Sequence, residues 1–476
     1  MSPMLLLGLV ALLSEPAGAR QAVGVEPGLP GPSTVDPDIA LIPKAVTADR
    51  GKADDDLFDA GRTLETRVYV EDVFSASDYR HDLAIPLPTP PGTNWLNRFS
   101  LDTQVTGAIA SGLSFTVSNR IDLYAPRDAD GQDGATVGNN IKELYLTLEP
   151  GPGLFIEMGR INLKNGAAST FNPTDFFRAN SRIVQASQDP AALRENRLGA
   201  VMLRVQTLWR GGSAVLAIAP KLASQRSLTQ DTGPGFATRI DETNGTTRAL
   251  LSITQEFWGL SPKFFLFSDD GLLRVGASAT KPIGKSVVLS AEWAMGRRRD
   301  LLDDALCFGS RVGDLPAQPF EQSCARPRRL RQELAVSLNW VPLANLEVSA
   351  EYDYNGGGLS PQRWAELTAA PSSRLTQARY WYLQAYAGAL QNPVFRHGIS
   401  IRVAQSKAFN RNLNLAALAL INASDGSLFG QASADYELSR NWSLGLTANA
   451  TMGARNSVYA GLPQKLSGAI RLKYFF

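Results

Sequence analysis

Residues 346–354 read Leu-Glu-Val-Ser-Ala-Glu-Tyr-Asp-Tyr. Successive side chains of a strand point to opposite faces. As a strand, this segment puts Leu346, Val348, Ala350, Tyr352 and Tyr354 on one side and Glu347, Ser349, Glu351 and Asp353 on the other. Three carboxylates on one face are incompatible with a dry packed core, because burying an unpaired charge carries a large desolvation cost. The segment therefore calls for an apolar medium on one side and water or polar partners on the other. The same period recurs elsewhere. In 98–109, Phe99, Leu101, Val105 and Ile109 oppose Arg98, Ser100, Asp102, Gln104 and Thr106; in 286–295, Val287, Leu289, Ala291, Trp293 and Met295 oppose Ser286, Ser290 and Glu292. From about residue 62 onward, segments of roughly ten residues repeat this alternation between turn residues, as the strands of a transmembrane antiparallel up-and-down β-barrel do.

A soluble sheet with one solvated face alternates in the same way. Two features favour the membrane. Aromatic residues gather near strand ends (Tyr124, Trp209, Trp293, Trp340, Trp442), as expected of interfacial girdles. The closing segment, with Leu466, Ile470 and Leu472 outward and Ser467 and Arg471 inward, ends in Lys473-Tyr474-Phe475-Phe476. A terminal Phe on an amphipathic last strand resembles the signal read by the bacterial barrel-insertion machinery, which makes that machinery an expected partner through Phe476.

At the other end, Leu5 to Leu13 form an apolar run followed by Ala17-Gly18-Ala19, so residues 1–19 are expected to be a secretory signal peptide. Residues 20–61 are rich in Pro, Gly and Asp and read as a largely unstructured periplasmic linker, too short to be a plug domain. Residues 62–476 are the expected barrel, in the Gram-negative outer membrane with the N-terminus in the periplasm. Beyond the signal no apolar run of eighteen residues exists, so strands are the expected means of crossing. A net charge of +2 on 476 residues gives no basic face for nucleic acid.

Nineteen candidate strands can be marked, whereas a single-chain bacterial barrel with both ends on one side needs an even number. Long connections at 75–96, 125–139, 163–197, 221–247, 297–330 and 356–378 alternate with tight ones and are the expected outside loops. Counting back from the C-terminus disagrees with counting forward between residues 379 and 421. One of the three candidates there (379–389, 397–405, 412–421) must be false, or two must be one bent strand. The expectation is all-β with about 18 strands, or 16 if the weak candidate at 263–268 and a neighbour also fail.

The loop after 154–162 is the most distinctive, with Gly159-Arg160 at its start and Phe171-Asn172-Pro173-Thr174-Asp175-Phe176-Phe177 within it. Asn-Pro followed by Asp initiates a turn. Phe171, Phe176 and Phe177 suit the inner wall of a barrel better than open water. Two readings stand: a constriction loop that narrows the pore, or a latch over the barrel mouth. These motifs, with Asn422–Ser427 and the 453–463 loop, resemble proteobacterial outer-membrane barrels of the alginate-export-like, porin-like group, although Leu163-Lys164-Asn165-Gly166 stands where a Trp-Gly pair is frequent. The resemblance implies an eighteen-stranded passive or export channel.

Alternation assigns Asp102, Asp122, Glu143, Glu292, Glu333, Glu347, Glu351 and Asp353, with Arg98, Arg120, Arg274, Arg471 and Lys473, to the lumen. Fixed positive charge favours anions in a pore, so the acidic run at 347–353 argues against a polyanion exporter; cross-strand pairing is the plainer role for most of these charges. Cys307 and Cys324 are expected to form a disulfide in an exported chain. The segment around them is basic (Arg297, Arg298, Arg299, Arg326, Arg328, Arg329, Arg331), fit to meet lipopolysaccharide phosphates, an anionic solute or simply solvent.

His81 and His397 are the only histidines, no Gly-x-Ser-x-Gly elbow or phosphate loop exists, and neither catalysis, a metal nor a cofactor is expected. The expected function is passage of a hydrophilic solute or polymer across the outer membrane. The alternative is a structural or adhesive barrel whose outer loops bind a partner.

Overall fold

A computed structural model describes residues 64–88, 94–126, 136–183, 189–229, 238–257 and 260–476; the expected signal segment and linker lie outside the described residues. Eighteen strands, from β1 (Leu64–Tyr79) to β18 (Gln464–Phe475), lie in chain order in one antiparallel sheet. The sheet closes on itself: β1 pairs with β2 (Trp95–Ala110) along one edge and with β18 along the other, Tyr69 standing opposite both Asp102 and Phe475. Closure leaves no free edge, the condition for strands to satisfy their backbone in an apolar medium.

The alternation of the sequence becomes two different walls. Leu146, Met158, Ile218, Leu266, Val336 and Ile470 are exposed on the outside. Ser100, Asp102, Glu292, Glu333, Glu351 and Arg471 are on the inside and buried. One rim has tight connections (111–112, 152–153, 210–211, 344–345); the other has long ones (80–94, 162–199, 220–247, 299–328, 356–396). We call these the turn rim and the loop rim.

The parity conflict resolves at residues 379–389, which are not a strand. They belong to a helix, Arg374–Leu390. The run of Tyr380, Trp381, Tyr382 and Leu383 has the aromatic composition of a strand but not its alternation, and all four side chains are buried. Ser373 caps the helix by accepting from the Thr376 amide, which satisfies one of the first-turn donors. The weak candidate near 263–268 is a true strand, β9 (Lys263–Asp269), paired on both sides.

The longest helices of the described residues are on the loop rim: α1 (Leu301–Val312), α2 (Pro361–Ala369) and α3 (Arg374–Leu390). Their apolar faces share a core with Leu83, Ile85, Phe395 and Val458 from neighbouring loops. The Cys307–Cys324 disulfide ties α1 to the segment that follows it. Asp314 accepts from the hydroxyls of Tyr382 (2.7 Å) and Thr229 (2.6 Å) and from the Leu228 amide (2.8 Å), joining three loops. The loop rim thus carries a packed cap with a hydrophobic core of its own.

Candidate functional site

The residues that could control passage are those of the inner wall and of the loop 162–199, which leaves β5 (Leu154–Ile161) and returns as β6 (Ala200–Trp209). Gly159 has φ of 138°, and a Cβ there would stand 2.2 Å from the Leu144 carbonyl oxygen, so the position requires glycine. Arg160, next in the chain, donates to the carbonyls of Gly199 (2.9 Å) and Arg239 (3.2 Å), tying two loops to the end of β5. That is the local role of the Gly-Arg pair.

From β5 the loop turns inward. Glu292, on β11 (Val287–Arg298), accepts from the amides of Ala168 and Thr174 and from the Thr174 hydroxyl. Glu351, on β13 (Leu346–Asn355), accepts from the amides of Ser169 (2.6 Å), Thr170 (2.9 Å) and Phe171 (3.0 Å). The Thr170 hydroxyl also reaches Asp353 and Ser400. Gly166 stands against Glu292, with room for no side chain: a Cβ would meet the carboxylate at 2.5 Å. The two wall carboxylates therefore serve as acceptors for a run of loop amides. Charged acceptors make the stronger class of hydrogen bond.

Beyond Asn172 and Pro173, both buried, the loop packs on a patch where the inner wall is apolar. Phe176 stacks on Phe267 with ring centres 4.6 Å apart and meets Phe265 edge-on; Phe177 meets Phe267 edge-on. Met202, Ala217 and Leu250 complete the patch. Arg274 and Arg248 lie over the Phe176 and Phe177 rings, and Arg178 over Phe171. Asp175 pairs with Arg197 (2.7 Å), both buried. Burial pushes the Asp175 carboxyl up, but the Arg197 guanidinium outweighs it and holds the carboxyl below the usual aspartate range. Further on, Gln391 at the end of α3 donates to the Arg178 carbonyl (2.6 Å), so cap and loop are in contact.

The remaining wall charges form a second cluster on the opposite side of the chain order. Glu71 of β1 is fully buried and accepts from Arg98 (2.8 Å) and Arg120 (2.9 Å), with Lys473 at 3.3 Å. Asp122 accepts from Arg120 (2.9 Å) and Ser100 (2.7 Å), and Lys142 bonds Asp102 (2.7 Å). Elsewhere Glu333 pairs with Arg274 and Arg298, Arg471 with Asp435, and Arg402 with Asp189 (3.0 Å) and Glu347 (3.6 Å). Glu143 accepts from the Asn162 amide (3.2 Å).

All thirteen charges expected in the lumen thus lie on inward positions, but most are paired and shielded rather than facing open water. Glu347, near the turn rim, is the one among them whose side chain is about half exposed, at 49%. Tyr124 departs from the expected girdle: it shares the inner face with Asp122, whereas its neighbour Leu123 is exposed outside. Trp209, Trp340 and Trp442 are exposed on the outer wall. Sequence reading missed Glu71, Lys142 and Arg197. Glu71 was legible from alternation in β1. Lys142 was not, because a bulge opposite Ser118 and Asn119 breaks the alternation there.

His397 opens β14 (His397–Gln405), and its Nδ1 pairs with the Tyr352 hydroxyl (2.8 Å); His81 is exposed on the loop rim. Among the described residues no group of three metal-ligating side chains occurs.

No protein-family model and no curated protein matches the sequence. Solved structures do match in fold. OccAB1 of Acinetobacter baumannii aligns over 87% of this chain and 96% of its own, with a TM-score of 0.51 and 9% identity. OccK5 (OpdH) of Pseudomonas aeruginosa aligns over 87% and 98%, with a TM-score of 0.47 and 8% identity. A mutant Rh. blastica porin aligns over 87% and 100%, with a TM-score of 0.40 and 10% identity. At these identities the likeness is one of fold. The closed antiparallel barrel is the fold this chain shares with OccAB1.

Proposed function

We propose that this protein is an outer-membrane channel for hydrophilic solutes, narrowed by the loop 162–199. The observation that carries the reading is the seating of that loop: wall carboxylates Glu292 and Glu351 and wall rings Phe265 and Phe267 hold it inside a closed barrel with an apolar outer wall. A loop fixed at this many points presents a defined constriction, and pore diameter with its lining polar groups sets what passes. Of the two roles open to Asn172, Pro173, Asp175 and the three phenylalanines, constriction is favoured over a latch at the mouth. Phe176 and Phe177 pack on Phe265 and Phe267, and the Phe171 amide donates to Glu351, all three partners being on the inner wall, while Asp175 is held by Arg197 within the loop itself.

Each of the five basic groups assigned to the lumen pairs with a carboxylate, whereas Glu292, Glu351 and Asp353 make no ion pair among the described residues, which favours a passive path for small solutes over export of an alginate-like polyanion. In this reading the turn rim and the N-terminus face the periplasm, the loop rim meets lipopolysaccharide, and Phe476 serves the insertion machinery. The purified protein in a planar bilayer should give stepwise current; a correctly folded barrel that gives none overturns the proposal.

A second reading rests on the cap. A hydrophobic core on the loop rim is more structure than a bare pore needs, and suits a barrel whose outer face binds a partner. Such a barrel would conduct no differently after removal of the 162–199 constriction, whereas a channel would.

A further inference from the structure

The basic segment around the disulfide has a destination in the cap that the channel reading leaves unused. A cavity of about 300 Å³ opens there between α1, α2 and α3. Arg363 and Glu366 line it from one face of α2, Thr376 and Arg379 from the first turns of α3, Leu302 from α1, and Arg326 from the chain just after the disulfide segment. Three guanidinium groups therefore share the cavity with one carboxylate.

Their pairing is unequal. Arg363 is partly neutralised by Asp300 (3.6 Å) and Asp303 (4.0 Å). Arg326 and Arg379 make no ion pair and no side-chain hydrogen bond among the described residues, and neither does Glu366. Thr376 adds no free donor, since its amide donates to Ser373 and its hydroxyl to the Pro371 carbonyl, and the C-terminal end of α2 lines the same cavity at Leu367 and Ala370, so the arginines are its anion-binding groups. Leu302 lines the cavity and is buried, whereas Arg326, Arg363, Glu366 and Arg379 are exposed, so the guanidinium groups are open to an anion arriving from solvent. Guanidinium presents paired N–H donors in a plane, the geometry that matches a tetrahedral or planar oxyanion.

We propose that this cavity is a binding site for a phosphate-class oxyanion, held by Arg326 and Arg379 with Arg363 in support. The anion is either the phosphate of a membrane glycolipid or a free phosphorylated solute, and the chemistry at the arginines is the same. The proposal is independent of conduction, because the site is in the cap and not on the inner wall.

The test uses the full-length protein in detergent micelles. Calorimetric titration is run with inorganic phosphate, glucose 6-phosphate, and lipid A in its phosphorylated and dephosphorylated forms. Saturable binding of at least one phosphorylated probe is expected, weakened tenfold or more in R326A/R379A and tightened several-fold in E366Q, with heat-modifiable migration of the barrel unchanged. Preference for phosphorylated lipid A over its dephosphorylated form identifies a lipid headgroup as the source, and preference for the sugar phosphate identifies a solute. Absence of saturable binding by every probe, or equal affinity in wild type and R326A/R379A, overturns the proposal. The E366Q arm guards against a variant that merely loosens the cap, since loosening would not tighten binding.

Discussion

The Glu292 carboxylate accepts from both the amide (3.3 Å) and the hydroxyl (2.7 Å) of Thr174, a residue 118 positions earlier in the chain. Wall and loop are thus joined by a charged acceptor, with Glu351 repeating the device on the next-but-one strand. Each amide left without an acceptor in this buried setting costs about 1–3 kcal/mol. The variant E292A/E351A should therefore keep its barrel but release the loop. Planar-bilayer recording should show larger and noisier single-channel current than wild type. Unchanged current would mean that the aromatic seat alone holds the constriction.

The Asp175–Arg197 pair predicts how that loop responds to mutation and to acid. Removing one partner of a buried pair leaves the other charge uncompensated, at a cost of roughly 3–5 kcal/mol. D175N should accordingly expose 162–199 to protease while the strands stay protected. The Asp175 carboxyl is held below its ordinary value despite burial. A depressed folded-state pKa gives stabilisation that is complete above the ordinary aspartate value of about 3.9 and is lost as pH falls below it. Loop protection should hold at neutral and mildly acidic pH and fail only in strong acid; loss beginning near pH 6 would contradict the pairing.

Much of this architecture was legible because a barrel wall obeys a period of two with few exceptions. Arg98, Asp102, Arg120 and Asp122 could be placed on the inner face from β2 and β3 (Leu113–Pro126) alone. Parity also located the false strand, since the candidate at 379–389, part of the helix Arg374–Leu390, lies within the interval where the two counts disagreed. Alternation assigns a face, however, and not a partner. Glu292 and Glu351 were assigned to the lumen, but their loop amide donors are more than a hundred residues away, and backbone donors carry no residue signature. The cap was hidden for a related reason. Its core joins short helical sets such as Leu301, Leu302, Ala305 and Leu306 to single residues between Leu83 and Val458, and spacing within each set does not say which sets meet.

The disulfide between Cys307 and Cys324 spans 17 residues of the cap and none of the barrel. Closing a loop of about this length removes roughly 3 kcal/mol of unfolded-chain entropy in the chain-entropy model. Reduction, or C307S/C324S, should therefore loosen 299–328 without unfolding the strands. Limited proteolysis should cut inside that loop in the reduced protein, while heat-modifiable migration remains that of the intact barrel. Loss of the barrel band on reduction would show that the cap supports the wall.

The last prediction concerns the seam where the first strand meets the last. Glu71 on β1 gathers Arg98 from β2, Arg120 from β3 and Lys473 from β18. All four are buried, so none of these charges has solvent to fall back on. E71A would remove the carboxylate that the three cations share, with Asp122 still beside Arg98 and Arg120, and should lower the temperature at which the closed barrel opens by more than any single exposed-charge substitution does. E71A alone cannot separate a seam contact from general destabilisation, so the discriminating measurement is a double-mutant cycle with K473M. Residues in one network couple by about 0.5–3 kcal/mol, whereas distant ones add independently. Coupling in that range places the Glu71–Lys473 contact across the closure itself. Strict additivity would mean that backbone pairing between β1 and β18 closes the barrel without help from their charges.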